Sequence, residues 1–210
     1  GPDGGGYYWT TTDAEPDWGY GWEDIENVAI PLNFPGNDDF ATDEISLPFD
    51  FTFFGVNYDY LNVNANGWVG WNSVNEDVWQ NGDIPSVSMP HPAIFGYFDD
   101  LNPLNENSNS SASGSIYYHA NLERVVVWFD DVVRWEGDAG TGTYDFQIIL
   151  FSNNTFRVNY RNIEGVDDQA TIGWQDGFGS EGTQLATSGE SFASNGFSWE
   201  GKSYSDFNIP

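Results

Sequence analysis

Residues 45–71 read ISLPFDFTFFGVNYDYLNVNANGWVGW, and this stretch decides the fold. In its first part, Phe49, Phe51 and Phe53 are separated by polar residues. Successive side chains of a β-strand point to opposite faces, so this alternation gives one apolar face and one polar face. The first part of the stretch therefore predicts a half-buried strand.

Two turns divide the rest of this stretch into further strands. Phe54-Gly55 ends the first strand, and alternation resumes over 58–64. Asn66-Gly67 then predicts a type I′ hairpin turn, because such a turn needs positive φ at both central residues. A third strand follows over 68–71. The stretch as a whole predicts an antiparallel β core.

The other strands predicted along the chain are short and are separated by turn signals. At 143–151 the alternation is clean, with Asp145 and Gln147 on the face that points away from the core. Strands are also predicted over 93–99, 115–119, 122–135, 156–160, 170–175, 196–199 and 204–209. Since no segment keeps a helical period, we predict an all-β fold, an antiparallel β-sandwich that is jelly-roll-like.

The chain shows no internal repeat, and we expect a single domain over 1–210. Residues 1–44 begin with a run rich in Gly, Asp and aromatic residues that has no clear period. We expect this part to be an irregular N-terminal segment that packs on the sandwich. Residues 177–195 are rich in Gly and Ser and are predicted to form a loop.

The chain is strongly acidic. Thirty-three Asp and Glu residues against five Lys and Arg residues give a formal net charge of −28 over 210 residues. Such a charge argues against binding to nucleic acid or to anionic lipid surfaces. Two explanations remain open: a hydrated surface suited to salt or solubility, or oxygen ligands for divalent cations. There is no Cys for disulfide or thiol chemistry, and no apolar run approaches the roughly 20 residues of a membrane span.

The best candidate for a metal site follows the predicted strand at 93–99. Asp99, Asp100 and Asn102 place two carboxylates and an amide carbonyl within a few residues, and such oxygens are ligands for Ca²⁺. The alternative is a turn in which these side chains bond to their own backbone. A structural calcium ion is the one cofactor that we consider.

The excess of aromatic residues suggests a binding surface. Five tryptophans lie in predicted loops or off the apparent core face, namely Trp9, Trp18, Trp22, Trp68 and Trp79. Exposed Trp rings can stack on sugars, and they can also anchor contacts between proteins. The third possibility is that these rings pack beneath loops.

Catalytic motifs are not evident in the sequence. His91 and His119 are the only histidines, and neither lies in a recognisable hydrolase motif. Glycoside hydrolysis needs two suitably spaced carboxylates, and nothing in the sequence singles out a pair. We therefore expect that the protein is not an enzyme. Arg157 and Arg161 share one face of a predicted strand, where we expect them to neutralise nearby acids.

Several stretches together resemble an accessory β-sandwich module of secreted bacterial proteins. Such modules occur beside subtilisin-like proteases and in large surface and adhesion proteins, and the central stretch is also distantly similar to nidogen-like extracellular domains. The stretches that carry the resemblance are GPDGGGYYW (1–9), DAEPDWGYGWEDI (13–25), LPFDFTFFGVNYDYLNVNANGWVGW (47–71), PAIFGYFDDLNP (92–103), SIYYHANLERVVVWFDDVVRW (115–135), YDFQIILFSNNTFRVNY (144–160) and ATIGWQDGFGSEGTQL (170–185).

The resemblance implies an extracellular or cell-surface location and leaves two expectations for function. The first is a non-catalytic structural or adhesive module that associates with copies of itself or with neighbouring surface proteins, as in a filament. Aromatic patches and added edge strands would make those contacts. The alternative is a glycan-binding accessory module of a secreted enzyme, with polysaccharide as its partner.

Overall fold

The computed structural model of the chain describes residues 4–15, 20–34, 39–71, 78–103, 114–135, 142–165 and 167–203. In these ranges there is no helix long and apolar enough to cross a membrane. The regular structure there is entirely β. The strands are β1 (Tyr7–Thr11), β2 (Ile30–Pro31), β3 (Ile45–Phe53), β4 (Val56–Asn64), β5 (Trp68–Gly70), β6 (Ala93–Phe98), β7 (Leu101–Asn102), β8 (Ser115–Ala120), β9 (Arg124–Arg134), β10 (Tyr144–Phe151), β11 (Thr155–Ile163), β12 (Thr171–Gln175), β13 (Gly182–Ala186) and β14 (Phe197–Ser203).

The strands form two antiparallel sheets. The first sheet has the order β1-β14-β11-β10-β9-β8-β2, and the short β7 also pairs with β9. The second sheet has the order β13-β12-β6-β5-β4-β3. Apolar side chains from both sheets form one central cluster, as in a β-sandwich. The predicted fold class is confirmed.

Aromatic rings form much of the core between the two sheets. Phe129 and Phe146 of the first sheet stack with their centroids 4.4 Å apart, and Tyr97 of the second sheet lies 6.1 Å from Phe146. The buried Tyr160 hydroxyl donates a hydrogen bond of 2.6 Å to the Gly96 carbonyl oxygen and so ties the two sheets together.

The stretch at 45–71 forms β3, β4 and β5, as predicted, but its turns differ from the prediction. Positive φ at two successive residues occurs in the first turn, at Phe54 (47°) and Gly55 (76°). In the second turn only Gly67 has positive φ, 89°. Because β4 and β5 pair Asn64 with Trp68, three residues connect them. The prediction of a two-residue type I′ turn at Asn66-Gly67 is therefore wrong.

Asn66 has a structural role that explains this wider turn. Its side chain is fully buried. The Oδ1 atom accepts a hydrogen bond of 2.8 Å from the Leu101 backbone N–H, and Nδ2 donates to the Val78 carbonyl oxygen at 3.1 Å. Asn66 thereby ties the turn to the two segments that follow β5 and β6.

The outer face of the first sheet is apolar as well, and residues 20–29 cover it. Val126, Trp128 and Ile149 alternate along their strands with residues of the central core, so they point outward. They form a separate buried cluster with Ile25. Residues 20–29 of the N-terminal segment therefore pack on the first sheet.

Polar side chains of the sheet hold this covering segment in place. The Gln147 side chain accepts a hydrogen bond of 3.1 Å from the Glu23 backbone N–H and donates one of 2.8 Å to the Glu23 carbonyl oxygen. Asn159 donates to the Gly21 carbonyl oxygen at 2.8 Å. Asp145 and Gln147 do point away from the central core, as predicted, but both are buried beneath the cover.

The outer face of the second sheet is covered by residues 78–92. The buried cluster there contains Trp68, Ile84, Ala93, Phe95 and Phe98, with Val78 and Met89 packed against it. Trp68 and Phe95 lie on neighbouring strands, and their ring centroids are 6.5 Å apart. The sandwich thus has three buried apolar layers.

Several short strands are not predicted from the sequence. Residues 1–44 are not irregular throughout, because they contain β1 and β2. The predicted loop at 177–195 contains β13. These strands have two to five residues, too few for alternation to be read from sequence, and β1 pairs with β14 at the far end of the chain. The strand predicted at 204–209 lies outside the described residues.

The burial of Trp68 makes a quantitative prediction. We expect Trp68→Ala to lower the free energy of unfolding by about 3–5 kcal/mol, because it leaves a cavity beneath residues 78–92. Trp9→Ala is the matched control and should change it by roughly 0.5 kcal/mol or less, since the Trp9 ring is 47% exposed. Urea denaturation followed by circular dichroism measures both. Equal losses for the two variants would contradict this account of the second sheet's outer face.

Candidate functional site

The five candidate tryptophans have different surroundings. Trp9 on β1 is 47% exposed and Trp79 is 46% exposed. Trp22 is half-buried. Trp68 is 2% exposed, so its prediction as a binding residue is wrong: the ring does point away from the central core, but residues 78–92 cover it. Trp18 lies outside the described residues.

Trp22 is engaged in packing within the chain. Its ring lies edge-on to Trp128, with the centroids 6.2 Å apart. The guanidinium carbon of Arg161 lies 4.5 Å from the Trp22 centroid and 5.2 Å from the Trp128 centroid. A cation over two indole rings stabilises this arrangement. Trp22 therefore helps to fix the covering segment to the sheet.

Arg161 also compensates a group of carboxylates at this place. Its guanidinium forms a close ion pair with Asp145, and it lies 3.6 Å from a carboxylate oxygen of Asp130 and 3.7 Å from one of Glu26. Arg157 likewise pairs with an acid, Glu200, at 2.8 Å. The prediction that these arginines neutralise nearby acids is confirmed.

Burial raises the pKa of Asp130 to about 6, and the negative charges of Asp145 and Asp131 add to this effect, while Arg161 opposes it. Burial also raises the pKa of Asp145, against hydrogen bonds from Trp128 and Arg161. The Trp128 indole N–H donates to Asp145 at 2.8 Å. Ion pairs with Arg161 compensate the negative charges of Asp145 and Asp130. This group of side chains therefore has a structural role.

Trp79 lies beside a cleft of about 430 Å³. Apart from the indole ring, the lining side chains are polar or charged: Gln80, Asn81, Asp99, Asp100 and Arg134. Gln80 is exposed, and the Asn81 side-chain amide donates to the Gln169 carbonyl oxygen. The cleft therefore combines one exposed apolar ring with amide, carboxylate and guanidinium groups.

Asp99 and Arg134 form the floor of this cleft. The Arg134 Nε atom lies 3.0 Å from Asp99 Oδ2, which is the distance of an ion pair. The other oxygen of Asp99 accepts a hydrogen bond of 2.9 Å from the Asp100 backbone N–H. Burial raises the pKa of Asp99, and the charge of Arg134 partly offsets that effect.

The predicted calcium ligands do not form an evident metal centre. Asp99 directs one oxygen to Arg134 and the other to the backbone, as in the turn that was the alternative. Asn102 is buried in β7, which pairs with β9. In the part of the chain that the structure describes, no group of three or more His, Cys, Asp or Glu side chains is placed to hold a metal ion. The calcium site stays a prediction.

The two histidines lie in separate structural contexts. His91 Nδ1 is 2.8 Å from the Met89 carbonyl oxygen, in the segment that covers the second sheet. His119 lies near the end of β8 in the first sheet. A catalytic histidine needs a nucleophile or reacting group within hydrogen-bond reach, and the contact of His91 is to the backbone.

Sequence reasoning found Trp79, Asp99 and Asp100 but did not connect them. It treated the tryptophan as a loop aromatic and the carboxylates as metal ligands. It missed Arg134, whose side chain turns Asp99 into half of an ion pair. Arg134 lies at the end of a long predicted strand in a chain with only five basic residues, and this was the signal that could have identified it.

A family model described as NIDO-related matches residues 19–209 of the chain. The chain belongs to this family, and the matched residues include strands of both sheets but not β1. Domains of this family are typically extracellular and in general non-enzymatic, which agrees with the distant similarity to nidogen-like domains noted from the sequence. No curated protein and no solved structure matches the chain.

The raised pKa of Asp130 predicts how stability depends on pH. The folded pKa of about 6 exceeds the ordinary value of 3.8 for an Asp side chain. The contribution of Asp130 to stability is therefore fully present below about pH 3.8 and is lost as the pH rises through 6. Because an Asn side chain does not ionise, Asp130→Asn removes this loss of stability at higher pH. We expect its melting temperature relative to wild type to rise from pH 4 to pH 7.

The control for this prediction is Asp50→Asn, which removes one exposed carboxylate from the other sheet. This control measures how much stability is gained merely by removing one negative charge from an acidic chain. Thermal melts of the three proteins at several pH values supply the measurement. If Asp130→Asn changes the melting temperature by the same amount at pH 4 and pH 7, the raised pKa of Asp130 is contradicted.

Proposed function

We propose that this domain is a non-catalytic extracellular module that binds a glycan in the cleft beside Trp79. The single observation that carries the proposal is the half-exposed indole of Trp79 at the edge of a polar cleft. Such rings present a flat apolar surface to the C–H face of a sugar, while nearby polar groups bond to its hydroxyls.

The size and polarity of the cleft suit one or two sugar units. Its volume of about 430 Å³ falls within the range of roughly 300–1,000 Å³ for small-molecule sites. Gln80 and Asn81 supply amides, and Asp100 and Arg134 supply charged hydrogen-bonding groups. Because the chain carries a formal charge of −28, it should repel acidic polysaccharides. A neutral glycan is therefore the ligand class that we propose.

A binding role is better supported than a catalytic one. Hydrolysis of a glycoside needs a general acid and a second carboxylate that face the bond to be cleaved. In this cleft Asp99 is the buried carboxylate with a raised pKa, but one of its oxygens faces Arg134 and the other is bonded to the backbone. Asp99 is thus placed to hold Arg134 in position.

The test is binding of the purified domain to a panel of neutral and acidic oligosaccharides, followed by calorimetric titration with the best neutral one. Trp79→Ala should weaken binding about tenfold or more, because an aromatic anchor is lost. Trp9→Ala is a closely matched control, since its ring is exposed to the same extent, and it should bind like wild type. Calcium in a parallel titration would show whether the predicted metal role of Asp99, Asp100 and Asn102 contributes.

Two results would contradict this proposal. The first is the lack of binding to any neutral oligosaccharide in the panel. The second is equal binding by wild type and Trp79→Ala, provided that circular dichroism shows both proteins to be folded.

Self-association, the structural or adhesive role expected from the sequence, is a second candidate, and Trp9 favours it. Trp9 lies on β1, which is at the edge of the first sheet and has β14 as its one neighbour among the described strands. The strand reads YYWTT and carries no charge. Uncharged edge strands with aromatic residues are templates for strand addition by another chain.

Sedimentation velocity over a range of protein concentrations tests this second candidate. If copies associate along β1, Trp9→Ser should shift the protein towards monomer, whereas Trp79→Ser should leave the association unchanged. The two exposed tryptophans thus serve as each other's controls. A wild-type protein that is monomeric at every concentration would contradict this candidate, as would association that is insensitive to Trp9.

A further inference from the structure

The sequence contains three Asn-Gly pairs, and the structure places them in three different surroundings. They are Asn66-Gly67, Asn81-Gly82 and Asn195-Gly196. An asparagine followed by glycine is especially prone to spontaneous deamidation, because glycine has no Cβ atom to hinder its backbone nitrogen. Since the dipeptide is the same at all three places, a difference in reactivity between them must come mainly from the fold.

The chemistry of deamidation defines what the structure must allow. The backbone nitrogen of the glycine attacks Cγ of the asparagine side chain, and the new N–C bond closes a succinimide ring. The Cγ–Nδ2 bond breaks, and Nδ2 leaves as ammonia with the proton that the glycine amide gives up. Water then opens the ring at either carbonyl and yields aspartate or isoaspartate. The reaction needs a glycine N–H that is not held elsewhere, and it needs access for water.

The first pair, Asn66-Gly67, is closed to this reaction. The Asn66 side chain is fully buried. Its Nδ2 atom donates to the Val78 carbonyl oxygen and to Asp39 Oδ1, each at 3.1 Å. The Gly67 N–H donates to the Asn64 carbonyl oxygen at 3.3 Å. Both the attacking nitrogen and the leaving amide are therefore held.

The pair Asn195-Gly196 is exposed, but hydrogen bonds hold it. The Asn195 side chain lies at the surface, and its Oδ1 atom accepts a hydrogen bond of 2.7 Å from the Ile163 backbone N–H. The Gly196 N–H donates to the Tyr160 carbonyl oxygen at 2.9 Å. Because the attacking nitrogen must give up this bond before it can react, exposure alone does not make the pair reactive.

The pair Asn81-Gly82 differs from the other two at the attacking nitrogen. In the part of the chain that the structure describes, the Gly82 N–H has no hydrogen-bond partner, and residues 78–83 belong to no strand. Asn81 lines the Trp79 cleft, which gives water access to its side chain. Its Nδ2 atom donates to the Gln169 carbonyl oxygen, and this is the contact that the reaction must break.

We propose that Asn81 is a site of spontaneous deamidation in the folded protein. Asn66 and Asn195 are protected by the backbone hydrogen bonds of the glycines that follow them. The change requires only water, and it does not depend on whether the cleft binds a glycan.

Deamidation of Asn81 adds a negative charge to the cleft that this residue lines. The cleft already contains the carboxylates of Asp99 and Asp100, together with the guanidinium of Arg134. A carboxylate at position 81 raises the local negative charge further. It also cannot donate to the Gln169 carbonyl oxygen, since an ionised carboxylate only accepts hydrogen bonds. The charge and the shape of the cleft therefore change as the protein ages.

The experiment is a time course of the whole folded chain at mildly alkaline pH, which promotes loss of the amide proton. Samples are digested, and mass spectrometry follows each of the three asparagines and separates the aspartate and isoaspartate products. Asn81 should convert at least about tenfold faster than Asn195, because the Gly196 hydrogen bond must break first. Asn66 should be the slowest, since it converts only when the turn opens.

Two controls show whether the fold and the Gly82 nitrogen determine the rate. In concentrated urea all three asparagines should convert at similar rates, because the hydrogen bonds that distinguish them are lost. In the folded chain, Gly82→Ala should slow the conversion of Asn81 about tenfold and leave Asn195 unchanged. A Cβ atom at Gly82 meets only the side chain of Met89, at 3.3 Å, and thermal melts check that this variant is folded.

Two results would overturn the proposal. One is a folded chain in which Asn195 converts as fast as Asn81 or faster, because exposure or global unfolding would then set the rate. The other is an Asn81 that converts as slowly as Asn66 in the folded chain but rapidly in urea, because the fold would then protect Asn81 as well.

Discussion

The arrangement of this domain depends on the need to cover apolar residues on both faces of both sheets. In a two-layer sandwich the outward faces usually meet water and are polar. Here Trp128 and Ile149 project from one outer face, and Trp68 and Phe95 project from the other. Exposing such rings would lose about 25 cal/mol for each Å² of apolar area. Residues 20–29 and 78–92 are therefore necessary parts of the structure.

These two covers also determine which aromatic side chains remain available for binding. The first uses Trp22 for packing, together with the cation of Arg161. The second buries Trp68 and, in continuing across the sheet, positions Trp79 beside the cleft. A NIDO-related domain, whose family is typically extracellular, thus presents a small number of defined surfaces despite its many aromatic residues.

The sequence was sufficient for the longer strands and insufficient for the short ones and for the covers. A period of two is a local signal, and it located β3, β4 and β10 and the inward direction of Phe51 and Phe53. The burial of Gln147 depends on Glu23, which is 124 residues away, and no local pattern distinguishes an outward residue that meets water from one beneath a segment. For the same reason, only some of the residues that line the Trp79 cleft could be predicted. Trp79 was recognisable as a loop aromatic, but its proximity to Arg134 comes from tertiary folding.

The central claim is that two covered outer faces leave Trp9 and Trp79 as the most exposed indoles among those that the structure describes. Oxidative footprinting of the native chain, read out by mass spectrometry at each tryptophan, tests it most directly. The account predicts rapid modification of Trp9 and Trp79, with Trp68 as protected as Trp174 in the central core. Modification of Trp68 at the rate of Trp79 would contradict the account, because residues 78–92 would then not cover the second sheet.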